Sequence, residues 1–215
     1  MRNLLRHELR LVVHPTNWIF LALSAMLLIP NYPYYVVFFY GCLGFLFTFT
    51  EARENQDFLF LSLLPFGKRD LVKSRFLLVI LFQLAQLLLS VPFAALRQSF
   101  AIPGNAAGMD AGIALFGLAL PMLGIFNWVF LGSFFRKPDR VGTAFLKGCL
   151  ALAVYMVLAE TAAFVIPFFR DTLDSPDPAH LGAKFAVLAT GAAIYVLLNA
   201  LAYRDCGKAF EKVDL

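Results

Sequence analysis

Four long apolar runs decide most of what this chain can fold into. Residues 76–96, 111–135, 148–169 and 181–203 are each almost unbroken by charge, and each is bounded by charged or Pro/Gly-rich polar sequence. A hydrocarbon layer about 30 Å thick is crossed by a helix of roughly 20 apolar residues. A membrane strand would alternate inward and outward over about ten residues, and these runs do not alternate. A soluble home is excluded by composition. Hydrophobic residues make up 60% of the 215 and charged ones 15%, and the mean hydropathy is +0.75. A soluble domain of this length would still leave about a third of its chain surface facing water. Disorder is excluded too, since disordered chains are poor in apolar residues and rich in charge. The sequence therefore predicts an all-α, polytopic membrane protein.

The N-terminal apolar stretch, residues 18–50, is too long for one crossing. Pro30-Asn31-Tyr32-Pro33 divides it with turn chemistry, because proline removes a donor and turns its predecessor away from helix. Two shorter spans result, residues 15–29 and 34–50, for six transmembrane helices in all. A cleaved signal peptide is the competing reading of the first span, with Arg2, Arg6 and Arg10 as its basic start. A second apolar span follows within a few residues and no polar mature domain appears, which argues against it. With the N-terminus inside, 15 of the 18 Lys and Arg residues fall on the cytoplasmic side; only Arg97, Arg170 and Lys184 fall outside. That asymmetry predicts two cytoplasmic termini. The net charge of +4 then reflects topology and contact with anionic headgroups, not nucleic acid.

Outside the spans, residues 1–14 read as an amphipathic interface helix. Arg2, Arg6 and Arg10 form one basic row, with Leu4, Leu5, Leu9 and Val12 turned away from it. Residues 51–75, EARENQDFLFLSLLPFGKRDLVKSR, are too polar to cross and too long for a plain helix connection. Asn55 or Asp57 can cap a short helix carrying Phe58, Phe60, Leu61 and Leu64, which Pro65-Phe66-Gly67 breaks. Phe58 and Leu61, one turn apart, would make an apolar knob on the cytoplasmic face, and exposed apolar patches mark docking sites. The plainer reading is an amphipathic loop resting on lipid. The loops at residues 98–109 and 170–180 read as outer connections without chemistry.

The N-terminal NLLRHELRL, the NYPYY turn and the ENQDFLFLSLLPFGKRDLVKSRF segment resemble small six-span ABC-2-type permease subunits. Among these the chain is most similar to permeases grouped with the exporter of phenol-soluble modulins, which are amphipathic peptides. The likeness covers residues 1–76 well; the later spans agree in number, length and order. It implies one permease domain over residues 1–215, with spans at 15–50 and 76–203, a coupling segment at 51–75 and a cytoplasmic tail at 204–215, in a bacterial cell membrane. It places an ATPase-coupling helix between spans two and three, here Glu54, Asp57, Phe58, Leu61, Leu64, Pro65 and Lys68. It further implies a separate ABC ATPase in two copies, which carries the ATP and Mg, and a second permease, identical or homologous. The chain has no G-x-x-x-x-G-K-[ST] loop to cradle nucleotide phosphates and is expected to bind no cofactor of its own.

Polar groups at membrane depth suggest function by default. Glu160 is the one ionisable residue deep in a predicted span, read as hydrogen-bonded between helices, as lining a substrate path or serving a proton-linked role, or as standing at the outer interface. Gln83, Gln86 and Ser90 share one face of the third span, Asn127 lies in the fourth, and Tyr195 and Asn199 share a face of the sixth. All can line a path or bind neighbouring helices together. Gly182, Ala186 and Thr190 form a small-residue row on the sixth span that predicts close packing. The second span is rich in Tyr and Phe, read as a lipid face or as a soft wall for substrate. No zincin spacing, hydrolase elbow or metal-ligand cluster is present in the sequence. The leading function is an export permease for an amphipathic or hydrophobic substrate, a peptide among the candidates. The alternatives are a six-span binding component of an uptake system and an intramembrane enzyme.

Overall fold

The computed structural model describes residues 13–62, 67–100, 105–175 and 177–213, without the side chains of Phe58 and Ser62. The expected interface helix at the N-terminus, Leu64 and Pro65 lie outside these residues. Every regular element described is helical: α1 (Thr16–Ala22), α2 (Tyr35–Glu54), α3 (Asp57–Ser62), α4 (Lys68–Ser99), α5 (Ile113–Phe134), α6 (Val141–Val165) and α7 (Leu181–Phe210). Five of them, α2 and α4 to α7, are long and apolar enough to cross a membrane.

The first expected span departs from this length. Only seven residues are α-helical before the chain tightens into a 3-10 turn at Leu23–Leu28. At rises of about 1.5 and 2.0 Å per residue the pair reaches roughly 22 Å, short of the hydrocarbon thickness. The chain then reverses at Asn31, whose φ of 54° is a left-handed conformation that asparagine tolerates. α1 is fastened to α2 by Asn17, which donates to Thr48 Oγ1 at 2.6 Å. Gly44 makes room for it, because a Cβ there would stand 2.4 Å from Asn17 Oδ1.

α4 is the long member, 32 residues and roughly 48 Å by helical rise. Its first turn is closed by Asp70, which accepts the Gly67 N–H at 3.3 Å. α5 runs through the middle of the bundle and is the most buried of the five. Its most extensive partner is α7. The two backbones nearly touch: a Cβ on Gly191 would stand 1.9 Å from the Gly117 carbonyl oxygen. Here the expected packing row is corrected. Gly182, Ala186 and Thr190 face outward, and the contact row of α7 runs instead through Lys184, Gly191, Tyr195 and Asn199.

Five of the aromatic residues of the second span are corrected from lipid face or substrate wall to core, while Phe39 and Tyr40 are half-buried and Phe47 faces outward. Tyr34, Tyr35, Phe38, Phe45 and Phe49 are buried. Phe45 stacks on Phe126, and Phe49 packs edge-on against Phe130 and Phe134. What faces outward is mostly aliphatic: Leu77, Leu81 and Leu88 on α4, Leu146, Val154 and Val157 on α6, and Val196 and Leu197 on α7. In lipid such a surface costs nothing, whereas in water it would be a large exposed patch.

Candidate functional site

Four of the polar residues singled out in the spans meet. Gln83 on α4 and Asn127 on α5 form a reciprocal amide pair: Gln83 Nε2 donates to Asn127 Oδ1, and Asn127 Nδ2 to Gln83 Oε1, both at 2.8 Å. Asn127 Nδ2 also donates to Asn199 Oδ1 at 2.9 Å. The Tyr195 hydroxyl donates to Gln83 Oε1 at 2.8 Å, and Asn199 Nδ2 turns back to the Tyr195 carbonyl. All four side chains are buried. The seam is neutral, and its bonds close within one chain across α4, α5 and α7. Such satisfaction is what an amide needs in a medium without water.

Gln86 and Ser90 share the α4 face but not the seam. Gln86 Nε2 donates to the Val37 carbonyl of α2 at 2.8 Å, with Gly41 giving the amide room. Ser90 Oγ donates to the Gln86 carbonyl one turn back. Glu160 stands elsewhere, near the Ile166 end of α6. Its Oε2 accepts the Met109 N–H at 3.1 Å, and among the described residues its Oε1 has no hydrogen-bond partner. Gly108 sits against this carboxyl, since a Cβ there would come within 2.4 Å of Oε2.

Glu160 belongs to a strap that sequence reasoning missed. The loop between α4 and α5 gives its backbone donors to acids of the α6–α7 side: Met109 to Glu160, Asp110 to Asp174 at 2.6 Å, and Ile113 to Asp177 at 3.3 Å. Burial lifts the Asp174 carboxyl above its usual range, partly offset by the Asp110 N–H. Two buried cations complete the strap. Arg97 Nε reaches Asp110 at 2.8 Å and its guanidinium lies over the Tyr34 ring; Lys184 Nζ reaches Asp177 at 2.6 Å. Asn31 and Asn105 tie in the α1–α2 turn, through the Ala106 N–H and the Tyr32 carbonyl. The connection around residues 170–180, read as a solvated turn without chemistry, is thus a fastening. Its sequence signal was present at two places: a lone cation at one end of each of the runs 76–96 and 181–203, Arg97 and Lys184, each with an aspartate within reach along the chain.

The opposite end holds the expected coupling residues. Asp57 opens α3 and forms an ion pair with Arg75 of α4, whose side chain is 0% exposed. The Arg75 guanidinium also lies over the Phe49 ring. Glu54 is exposed at the end of α2, beside Arg53, which in turn donates to the Asp139 carbonyl of the α5–α6 connection. Lys68 Nζ donates to the Val213 carbonyl at 2.6 Å and so holds the C-terminal tail. The proposed apolar knob is corrected in one member: Leu61 is 1% exposed and packs inward, whereas Phe60 is 56% exposed. A short helix pinned by Asp57 must turn one side to α4, and Leu61 is on that side.

The chain matches the ABC-2 family transporter protein family over residues 3–168, well over half its length. No curated protein and no solved structure matches it.

Proposed function

We propose, from the premise that the chain belongs to the ABC-2 family of transporter proteins, that this membrane transport permease is the transmembrane subunit of an ATP-driven exporter. Its ATPase is a separate polypeptide that binds the ATP and Mg, present in two copies beside two permease subunits. The chain crosses a bacterial cell membrane six times, α1 included, with both termini in the cytoplasm. Its substrate is amphipathic or hydrophobic, a peptide among the candidates, which the sequence resemblance to the phenol-soluble-modulin exporters supports. The neutral character of the seam favours such a substrate over an ionic one.

The observation that carries this reading is the placement of polar anchors along α4. One continuous helix is paired at Arg75 with α3, at Gln83 with the seam, and at Arg97 with the strap. A force applied to α3 by a hydrolysing partner is transmitted along α4 from Arg75 to Gln83, because a helix keeps its rise when displaced. Pro92, which lacks one internal bond, marks the flexible point before the Arg97 fastening. That arrangement supplies what alternating access needs: a handle at one end, an exchangeable contact in the middle and a fastening at the other.

The test is retention of the ATPase. Co-expressed with its ATPase and purified, the full chain should hold that subunit, and Phe60→Ala should weaken retention by roughly 30-fold, equivalent to the loss of an interface anchor worth about 2 kcal/mol. Membrane insertion should not change, because the apolar runs are untouched. Retention at the unmodified level after Phe60→Ala and Phe60→Asp would remove α3 as the handle. If no ATPase accompanies the unmodified chain, the exporter reading fails.

A further inference from the structure

Between the first turn of α4 and the last turns of α7 lies a cleft of about 240 Å³ lined by Arg69, Tyr203, Arg204, Gly207 and Lys208. Three of these five residues are cationic, and none is acidic. Arg204 and Lys208 are four residues apart and therefore stand on one row of α7. The acids nearby are engaged at the rim: Glu211 Oε1 meets Arg69 Nε at 2.7 Å, and Asp205 Oδ1 stands 3.7 Å from Arg204 Nε. Gly207 opens the cleft, since a Cβ there would meet nothing within 4 Å.

The surroundings give this cleft a second, apolar half. Tyr203 packs edge-on against Phe76 of α4, with ring centroids 5.7 Å apart, and gives the cleft an apolar inner wall. Above Arg204, helical spacing puts Ala200, Leu197 and Ala193 on the same outward row of α7, and all three are exposed. Leu77 and Leu84 of α4 are exposed alongside. A cationic mouth below an outward aliphatic track, at the end of membrane-length helices, has the shape of an amphiphile with an anionic head. Basic pockets between helices at a membrane surface hold such headgroups. The volume suits a phosphate with its glycerol and falls below the range of about 300–1,000 Å³ typical of drug-sized ligands.

We infer that this cleft is a binding site for an anionic phospholipid, whose headgroup phosphate is held by Arg69, Arg204 and Lys208 while an acyl chain follows Leu197. Arginine offers planar paired donors to phosphate oxygens, and lysine a point charge. The site is independent of how the protein is coupled to ATP.

The experiment measures lipid retained by the full-length protein in neutral detergent, with phosphatidylglycerol or phosphatidylcholine doped into the micelle and bound lipid counted by native mass spectrometry. Phosphatidylglycerol should be retained in preference to phosphatidylcholine. Each surface cation contributes about fivefold to attraction of an anionic lipid, so Arg69→Gln, Arg204→Gln and Lys208→Gln together should weaken retention by roughly 100-fold. An equal loss of charge at Arg140, Lys147 and Arg170, which lie outside the cleft lining, should change it less than about twofold, because exposed charges beyond about 8 Å are screened. Gly207→Leu keeps every charge and fills the cleft; it should also abolish retention, while glycine replacement within a helix does not threaten folding. Equal loss in the two charge variants, or full retention in Gly207→Leu, would overturn the site. Displacement of the bound lipid by millimolar inorganic phosphate would assign the cations to a soluble phosphate instead and overturn the lipid.

Discussion

Replacing Asn127 by Leu removes three hydrogen bonds from the seam, the reciprocal pair with Gln83 and the bond to Asn199. Side-chain bonds between membrane helices are worth about 0.6 kcal/mol on average and about 1.7 at most. The substitution should therefore cost roughly 2 kcal/mol, with a ceiling near 5. Part of the cost comes from Gln83 Nε2 and Asn199 Oδ1, which lose their partners in a buried place. A double-mutant cycle isolates the α4–α5 pair: Gln83→Leu, Asn127→Leu and both together should give a coupling of about 1.2 kcal/mol, the value of two average bonds. The assay is reversible unfolding of the purified chain in mixed micelles, followed by helicity against denaturing detergent. Transport per folded molecule, measured on the same variants in proteoliposomes, separates the two roles read from the sequence. Helix binding predicts lost stability with transport retained, and a substrate path predicts the reverse. A coupling below about 0.2 kcal/mol would refute the claim that the seam holds α4 to α5.

Gly191→Ala should destabilise by about 1–3 kcal/mol, because its methyl would collide with the Gly117 carbonyl, whereas Gly182→Ala, with open space around it, should be neutral or slightly stabilising in the same unfolding assay. Asp57→Ala leaves Arg75 buried without its carboxylate and should cost about 3–5 kcal/mol; Asp57→Leu with Arg75→Met should recover much of it, and no recovery would mean that the ion pair does not set the position of α3. Asp174 has its folded-state carboxyl raised above the ordinary 3.8 by burial, so the native state binds more protons than the unfolded one just above that value. Stability should then fall as pH rises above that value, and Asp174→Asn should flatten the fall; a wild-type-like slope in the variant would exclude Asp174 as its source.

Much of the helical layout is legible in the sequence because crossing length is a one-dimensional property: an apolar run either has enough residues or does not. That logic finds α2 and α4 to α7. It does not foresee the short form of the first span, where the chain tightens at Leu23–Leu28, since hydropathy does not distinguish α from 3-10 geometry. Faces are harder to read than lengths. α7 is apolar almost all round, so periodicity cannot choose between the row of Gly182 and the row of Gly191; the choice is made by α5, whose Gly117 admits a backbone neighbour. Polar spacing on α4 gives the shared face of Gln83, Gln86 and Ser90 but not the partners of the two glutamines, which come from three other helices. Ion pairs at the span ends are invisible to orientation counting. Arg75, Arg97 and Lys184 enter that count as markers of side, while the fold uses each as a buried anchor.

The kind of contact each helix makes bears on which part of the bundle can move. α5 and α7 meet backbone to backbone at Gly117 and Gly191, and α2 interleaves its phenyl rings with those of α5. Interdigitated contacts of this kind resist sliding, because a small displacement drives atoms into overlap before any new arrangement is reached. α4 also packs rings near its Lys68 end, where Phe76 meets Phe135 and Tyr203. Along the middle of the bundle, however, its side-chain ties to α5, α7 and α2 include the Gln83 amide pair, the Tyr195 hydroxyl and the Gln86 bond to Val37. Hydrogen bonds can be exchanged one for another along a helix face, and Gln86 lies one turn from Gln83 on that same face. A shear of α4 against a fixed α2–α5–α7 unit is therefore the low-cost motion that this architecture permits, and it would break the Arg97–Asp110 fastening as it proceeds. In the proposed cycle, the work done at α3 goes into that displacement, and the strap sets how much work is required.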